Sequence, residues 1–302
     1  MNWHILGVGA IGGLWGGNLA LSGQQVTLIL RDPDAVRQYQ NAPLRLERAG
    51  RFSEPPVAVT TPATIDAPID YLLVATKSFA TLQAIATIEH CFTPSTRILL
   101  LQNGMGFQSR VVKSYASLPV IAGISTDGAY RRERFHVVHA GKGNNVFGAL
   151  STVNAETIDS LKACFGALAL DADWVDDIVT PMWHKVAVNA CLNPLTAIHR
   201  CRNGGLLHDA DIRRQLKAIA AETEEVMRAA GIEPPSPGLY ARVVGVVTLT
   251  AENFSSMHED VANGRRTEIE HINGFICEQG AMLGIDTPLN SGMLEQVRRL
   301  VA

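Results

Sequence analysis

The segment from Trp3 to Arg31, WHILGVGAIGGLWGGNLALSGQQVTLILR, has the pattern of a strand, a helix and a second strand. Its first part is a short apolar run, its middle has helical spacing that ends near Gly23, and its last part is rich in β-branched and aliphatic residues. Further apolar runs follow, separated by helix-like or turn-rich stretches: VAVTT, YLLVAT, RILLLQN and VIAGIS. Apolar strands that alternate with helices predict a parallel sheet with helices on both faces.

The chain changes character at about Asp177. Beyond this point the long segments carry helical periodicity, and Gly231 and Gly284 stand where helices are expected to end. The stretch HVVHAGKGNNVFGAL, shortly before the change, is strand-like and is expected to be an antiparallel addition at the edge of the sheet. We therefore predict an α/β Rossmann-type domain over residues 1–175 and an all-α domain over residues 176–302.

The composition argues against several classes of protein. The chain has 302 residues, is 47% hydrophobic and 18% charged, and carries a net charge of −3, so no global basic field attracts nucleic acid or an anionic membrane. Its five cysteines form no CxxC pair, which argues against a zinc site or a disulfide framework. No signal peptide is evident, and the apolar run VVGVVTLTA has about half the length that a bilayer requires. We expect a cytoplasmic protein without a bound metal.

Three glycines form the motif GVGAIG between the first strand and the first helix. In the dinucleotide fingerprint the first glycine permits the turn, the second lets the backbone approach a pyrophosphate, and the third lets helix and strand pack closely. The helix N-terminus then faces the phosphate charge. Glycines also serve ordinary turns, but the strand before the motif and the helix after it favour nucleotide binding. The expected contacts are Gly7, Gly9, Ala10, Ile11 and Gly12.

Two cations follow predicted strands and bear on the choice of cofactor. Arg31 ends the second strand, directly before Asp32, and an arginine here can receive the 2′-phosphate of NADP. Lys77, in VATKSF, follows a later strand and can add a second cation over the same phosphate. Each is a solvated loop charge in the alternative interpretation. Together they favour NADPH over NADH.

A third strand end carries the loop QNGMG, with Asn103 at its centre. Ligands of open α/β sheets bind beyond the carboxyl ends of the strands, so we expect Asn103 to border the nicotinamide end of a cleft. The alternative is a plain Asn-Gly turn.

A polar stripe interrupts the apolar segment HKVAVNACLNPLTAI. Lys185, Asn189 and Asn193 recur at every fourth position, which aligns them on one helix face. Because burying an unpaired ammonium is costly, this face is expected to line a cleft that holds a polar ligand. In the alternative, Lys185 reaches solvent and the two amides cap neighbouring loops.

A second polar constellation comprises AENFSSM and RRTEIEHINGF, which end one predicted helix and start the next. Glu268 lies near the start of the later helix, where the helix dipole favours an acid, and Glu270 faces another way. By itself Glu268 is a first-turn acid and nothing more.

Taken together, GxGxxG, QNGMG, WHKVAVNACLNPLTAI, ENFSSM and RRTEIEHINGF resemble the ketopantoate reductase (2-dehydropantoate 2-reductase) family across nearly the whole chain. The resemblance implies a 6-phosphogluconate-dehydrogenase-like helical domain and NADPH-dependent reduction of 2-dehydropantoate to (R)-pantoate, in pantothenate and coenzyme A biosynthesis. It implies Lys185 as the general acid and Glu268 as its partner carboxylate. By the same resemblance Arg31 and Lys77 contact the 2′-phosphate. Asn103 lies between nicotinamide and substrate, and the other residues implied to hold the substrate are Asn189, Asn193, Asn253 and Ser256.

Two alternative functions remain open from the sequence. One is a reductase of a different small 2-keto acid on the same fold. The other is a non-catalytic NADP-binding sensor, against which the presence of both Lys185 and Glu268 argues. The apolar helices of the second domain fit either a homodimer interface or packing against one another.

Overall fold

The structure is a computed structural model that describes residues 1–301. The chain forms two compact units. The first comprises Met1–Gln102 and Phe107–Ile178, and the second joins Asn103–Gly106 to the chain from Val179 onward. Among the described residues, none of the helices has the combined length and hydropathy that a membrane span needs.

The first unit contains twelve strands and five α-helices in its described residues. The strands are β1 (Asn2–Leu6), β2 (Gln25–Ile29), β3 (Arg45–Arg48), β4 (Arg51–Ser53), β5 (Ala58–Thr60), β6 (Ile69–Val74), β7 (Phe92–Leu100), β8 (Val120–Ser125), β9 (Gly128–Glu133), β10 (His136–Gly141), β11 (Asn144–Ala149) and β12 (Asp171–Trp174). The helices are α1 (Ala10–Leu21), α2 (Pro33–Asn41), α3 (Thr81–Ala86), α4 (Phe107–Ser114) and α5 (Ala155–Gly166).

Eight of these strands form the main sheet, in the order β12-β11-β8-β7-β6-β1-β2-β5. From β8 to β5 every neighbouring pair is parallel. The chain runs outward from β1 in both directions, so β1 and β6 flank the point at which the strand order reverses. Open sheets of this kind bind ligands at that reversal. The predicted Rossmann-type fold is confirmed.

The stretch HVVHAGKGNNVFGAL divides between two sheets. As predicted, part of it pairs antiparallel with the main sheet, because β11 lies beside β8. However, β12 covers the outer side of β11, and β10 lies in a second sheet of order β4-β3-β10-β9. This second sheet was not predicted from the sequence.

Aromatic side chains fill the core of the first unit on the side of α1. Trp15 is fully buried on α1 and meets Phe147 and Phe165 edge-on, with ring centroids 5.1 and 5.8 Å apart. Small residues let α1 approach its neighbours, since a methyl group on Gly17 would lie 2.6 Å from Leu46. The helix is thereby held against both sheets, with its N-terminus fixed at the glycine motif.

The second unit is helical. Its helices are α6 (Val179–His199), α7 (Gly205–His208), α8 (Ala210–Ala229), α9 (Leu239–Leu249), α10 (Ser256–Ala262), α11 (Ile269–Leu283) and α12 (Pro288–Leu300). As predicted, Gly231 follows α8 and Gly284 follows α11, both with positive φ. Helix α6 is the central element, since it contacts α7 to α12, and it contains Pro194 in its interior.

Replacement of the buried aromatic on α1 tests this core. We expect Trp15→Ala to lower the free energy of unfolding of the first unit by about 3–5 kcal/mol, because a large cavity remains beside Phe147 and Phe165. The matched control is Leu21→Ala on the same helix, whose side chain is half exposed, with an expected loss of about 0.5 kcal/mol or less. Urea denaturation followed by circular dichroism measures both, and equal losses would contradict the core assignment.

Candidate active site

The glycine motif has the geometry that a bound dinucleotide requires. Gly7 adopts φ +97°, and a side chain there would collide with the backbone of Thr76 at 2.5 Å. A side chain on Gly12 would meet the Gly7 carbonyl oxygen at 2.1 Å. By contrast, nothing lies within 4 Å of a methyl group built on Gly9, the residue that precedes α1. The first and third glycines therefore permit close packing, and the second leaves the helix N-terminus open to a phosphate group.

Strand order brings the predicted cofactor residues to one edge of the main sheet. The glycine motif follows β1, Arg31 follows β2 and Lys77 follows β6, and these three parallel strands are adjacent. Ala10 and Ile11 lie within the motif and begin α1. The carboxyl ends of all three strands therefore converge on the point at which the strand order reverses.

Arg31 and Asp32 form a surface pair. Arg31 Nε donates to Asp32 Oδ2 at 2.8 Å, while Asp32 Oδ1 accepts from the backbone N–H of Ala35 and caps α2. This pairing raises the pKa of Arg31 and, together with the backbone hydrogen bond, lowers the pKa of Asp32. The Arg31 side chain is 88% exposed, so the guanidinium remains accessible to a ligand.

The polar stripe of the second unit lies on α6 as predicted by its spacing. Lys185 and Asn189 are half-buried, and Asn193 is 5% exposed. The residues between them are mostly buried, including Val186, Ala187 and Cys191. This burial disfavours the alternative in which Lys185 is a solvated surface lysine.

Burial and a neighbouring carboxylate act on Lys185 in opposite directions. Removal from water lowers its pKa, and the charge of Glu268 raises it, with a net pKa of about 8. The effect of desolvation on the pKa therefore exceeds that of the Glu268 charge, because an isolated lysine has a pKa of about 10.4. An amine with this pKa can both hold and release a proton near neutral pH.

The two acids of the TEIE motif have different environments. Glu268 is 6% exposed and immediately precedes α11. Glu270 is bound by Arg298 of α12 through two hydrogen bonds of 2.7 Å, which lower its pKa. The structure thus separates an acid that acts on Lys185 from an acid that joins two helices.

The loop Asn103–Gly106 contacts α11 near its start. Met105 N donates to the His271 carbonyl oxygen at 2.7 Å. Gly104 has φ +85°, and a side chain there would meet that same oxygen at 2.5 Å, so the close approach requires glycine. This loop brings Asn103 to the turn of α11 that follows Glu268.

The ENFSSM segment exposes two of the predicted substrate residues and buries its other serine. Asn253 and Ser256 are exposed, whereas Ser255 is buried, caps α10 and lies 2.7 Å from the hydroxyl of Thr196 on α6. Sequence reasoning missed Thr196, although it follows Asn193 by three positions and so lies on a neighbouring face of the helix. It also missed Asn203, whose backbone N–H donates to the Asn253 carbonyl.

Comparison with known proteins shows the family. The family models described as "Ketopantoate reductase PanE/ApbA" and "Ketopantoate reductase PanE/ApbA C terminal" match residues 3–152 and 177–301. A 2-dehydropantoate 2-reductase of Vibrio cholerae is 32% identical over 302 residues, which cover 99% of this chain and 98% of the relative. The chain belongs to the ketopantoate reductase family. It is accordingly an oxidoreductase that acts on a CH–OH group.

Solved structures extend the comparison to the fold. A PanE/ApbA family ketopantoate reductase from Ralstonia eutropha is 28% identical with a TM-score of 0.90, over 100% of this chain and 98% of that one. A D-mandelate dehydrogenase in complex with NADH and anilino(oxo)acetate is 24% identical with a TM-score of 0.91, at the same coverage. The same fold is therefore present in a dehydrogenase named for another 2-hydroxy acid.

Titration of Lys185 tests its electrostatic interaction with Glu268. We expect the Lys185 ammonium to titrate with a pKa of about 8, and Glu268→Gln to lower that pKa because the carboxylate charge raises it. Glu270→Gln is the matched control and is expected to leave it unchanged, since Glu270 binds Arg298. The ¹³Cε chemical shift, assigned with Lys185→Arg, reports the pKa. An ordinary lysine pKa, or one insensitive to Glu268→Gln, would contradict the assignment.

Proposed function

We propose that the protein reduces 2-dehydropantoate to (R)-pantoate with NADPH, with Lys185 as the general acid. The observation that carries this proposal is the half-buried Lys185 on α6. Burial lowers its pKa, and the charge of the buried Glu268 raises it. The names of the full-length relatives support the substrate. The product would serve pantothenate and coenzyme A biosynthesis.

The first unit fits a dinucleotide. The open space at Gly9 and the N-terminus of α1 accept the pyrophosphate, with Ala10 and Ile11 contributing the first backbone N–H groups of the helix. Arg31 and Lys77 would bind the 2′-phosphate, which NADPH has and NADH lacks. When bound, the nicotinamide supplies the hydride that reduces the C2 ketone.

Lys185 supplies the proton that completes the reduction. As negative charge develops on the ketone oxygen, the Lys185 ammonium stabilises it and transfers one proton to it, which leaves a neutral amine and the product hydroxyl. Glu268 keeps the amine protonated before the reaction, because its charge raises the lysine pKa. Such acid catalysis requires that the lysine recover its proton from solvent after each turnover.

Amides and a hydroxyl on the second unit would hold the substrate. Asn189 and Asn193 lie on the lysine face of α6, and their N–H groups can donate to the substrate carboxylate. Asn253 precedes α10 and Ser256 begins it, and both offer exposed polar side chains. Asn103, fixed by the contact of its loop with α11, would meet both cofactor and substrate.

The D-mandelate dehydrogenase comparison supports a second candidate substrate class. Because that protein shares this fold, a small 2-keto acid with a different side chain is a specific competitor. The two candidates differ in the carbon attached to the C2 ketone, which is a gem-dimethyl carbon in 2-dehydropantoate and part of an aromatic ring in benzoylformate.

An assay of both acids with NADPH separates the two candidates, and a higher kcat/KM for 2-dehydropantoate is expected. A higher value for benzoylformate would transfer the proposal to aryl 2-keto acids, and tight NADPH binding without turnover of either acid would favour a sensor.

Substitution of the lysine tests the mechanism. We expect Lys185→Ala to lower kcat by roughly 10²- to 10⁴-fold, the range of general acid catalysis. In the wild type, kcat is expected to fall as pH rises through about 8, because the donor must be protonated, and this limb disappears in the variant. Lys217→Ala, on the exposed face of α8, is the matched control with unchanged kcat. Wild-type turnover in Lys185→Ala would defeat the role of the lysine.

Substitution of Arg31 tests the cofactor. We expect Arg31→Ala to raise the Kd of NADPH roughly 10-fold and to leave the Kd of NADH unchanged, because only the 2′-phosphate loses a charged hydrogen bond. Arg37→Ala is the control, since Arg37 is also exposed and pairs with Asp34 within α2. Fluorescence titration of both cofactors gives the constants. Equal weakening of NADPH and NADH would argue against a 2′-phosphate contact.

A further inference from the structure

Pro194 leaves one buried carbonyl of α6 without its helical partner. In an α-helix each backbone N–H donates to the carbonyl oxygen four residues earlier, and proline has no N–H. The carbonyl of Ala190 therefore loses its donor at the point where α6 passes Pro194. Ala190 is fully buried, so the oxygen needs a partner from within the protein.

The side chain of Asn273 supplies the missing donor. Asn273 is fully buried on α11, and its Nδ2 donates to the Ala190 carbonyl oxygen at 2.9 Å. The same Nδ2 donates its other hydrogen to Asn290 Oδ1 on α12, also at 2.9 Å. The Asn273 amide thus replaces the missing donor and links α6 to α11 and α12.

A carboxylate fixes the direction of these hydrogen bonds. Asn290 Nδ2 donates to Glu222 Oε1 on α8 at 2.8 Å, and Glu222 also accepts from the backbone N–H groups of Leu289 and Asn290 in the first turn of α12. Because a carboxylate only accepts, Asn290 must turn its own oxygen toward Asn273. Asn273 must then present Nδ2, and its Oδ1 is buried without a hydrogen-bond partner in the described part of the chain.

The Asn273 contact lies at the same distance along the chain from both members of the acid–base pair. Ala190 is five residues after Lys185 on α6, and Asn273 is five residues after Glu268, which precedes α11. Five residues of helix span about 7.5 Å. The bond from Asn273 to Ala190 therefore fixes α6 relative to α11 one and a half turns from the lysine and its carboxylate.

We propose that Asn273 is a positioning residue of the reductase, which replaces the backbone hydrogen bond lost at Pro194 and thereby holds Lys185 and Glu268 in register. This inference rests on the proposed role of Lys185. Asn273 acts through the Ala190 carbonyl and not on substrate or cofactor. The ring contact between Trp183 and Phe275, with centroids 4.9 Å apart, packs the same two helices but provides no donor for the Ala190 carbonyl.

A double-mutant cycle with Pro194 tests whether Asn273 acts through the Ala190 carbonyl. Asn273→Leu has nearly the same shape but no donor, and we expect it to lower kcat for 2-dehydropantoate and NADPH roughly 10- to 100-fold, with KM for NADPH unchanged. Pro194→Ala restores an N–H that can bond the Ala190 carbonyl. In the Pro194→Ala background, Asn273→Leu is therefore expected to lower kcat less than about 3-fold, an interaction of the kind that such cycles detect.

Asn290→Leu is the matched control, because it breaks the bond between the two asparagines, while the Ala190 carbonyl can only accept and so still holds Asn273 Nδ2 as its donor. We expect it to lower Tm but to leave kcat near the wild-type value, with no benefit from Pro194→Ala. If Asn273→Leu is recovered only unfolded, Asn273→Ala removes the same donor and is expected to show the same rescue.

Three outcomes would overturn the inference. They are a loss of kcat in Asn273→Leu that persists in the Pro194→Ala background, a fall in Tm of Asn273→Leu without any loss of kcat, and an equal loss of kcat in Asn290→Leu.

Lys185→Ala measured in the same assay separates this inference from the proposed function. If that variant turns over like the wild type, the proposed function fails. If it is impaired and the cycle shows no coupling, only the role of Asn273 fails.

Discussion

The second unit is organised around an ammonium group that is partly withdrawn from water on an apolar helix. The Lys185 pKa is shifted downward, because burial lowers it further than the charge of Glu268 raises it. Desolvation is therefore the stronger of the two effects. A lysine in this position is useful only if its carboxylate partner stays close, because loss of the partner leaves a buried charge uncompensated. The helices that carry the two residues must therefore be held to a narrow range of positions.

Polar side chains buried between these helices add directional contacts to their apolar packing. The chain of hydrogen bonds from Glu222 through Asn290 and Asn273 ends on the Ala190 carbonyl and connects α8, α12, α11 and α6. A hydrogen bond between Thr196 and Ser255 connects α6 to α10 in the same way. Directional contacts of this kind specify one arrangement, whereas apolar packing alone tolerates several.

Local sequence pattern predicted the features whose cause is local. The glycine motif, the strand–helix alternation and the stripe on α6 were recognisable because turn conformation and periodicity depend on near neighbours. The second sheet was not predicted, because its strands β3 and β4 are short and polar and form a sheet only when β3 pairs with β10 and β4 pairs with β3. The Asn273 contact was hidden for a related reason. Pro194 removes a backbone donor from α6, but nothing near it in sequence indicates that the Ala190 carbonyl finds its donor 83 residues further along the chain.

Arg31 and Lys185 differ in how freely they can change. Arg31 is 88% exposed, and its hydrogen bond to Asp32 leaves the cap of α2 to the other carboxylate oxygen. Its replacement leaves no cavity and no unsatisfied buried group, so mutation can explore this position without loss of folding. Lys185 has less freedom, because it is half-buried on α6 and its charge interacts with that of the buried Glu268. Under the proposed roles, coenzyme preference can therefore drift readily in a lineage of such proteins while Lys185 and Glu268 are retained.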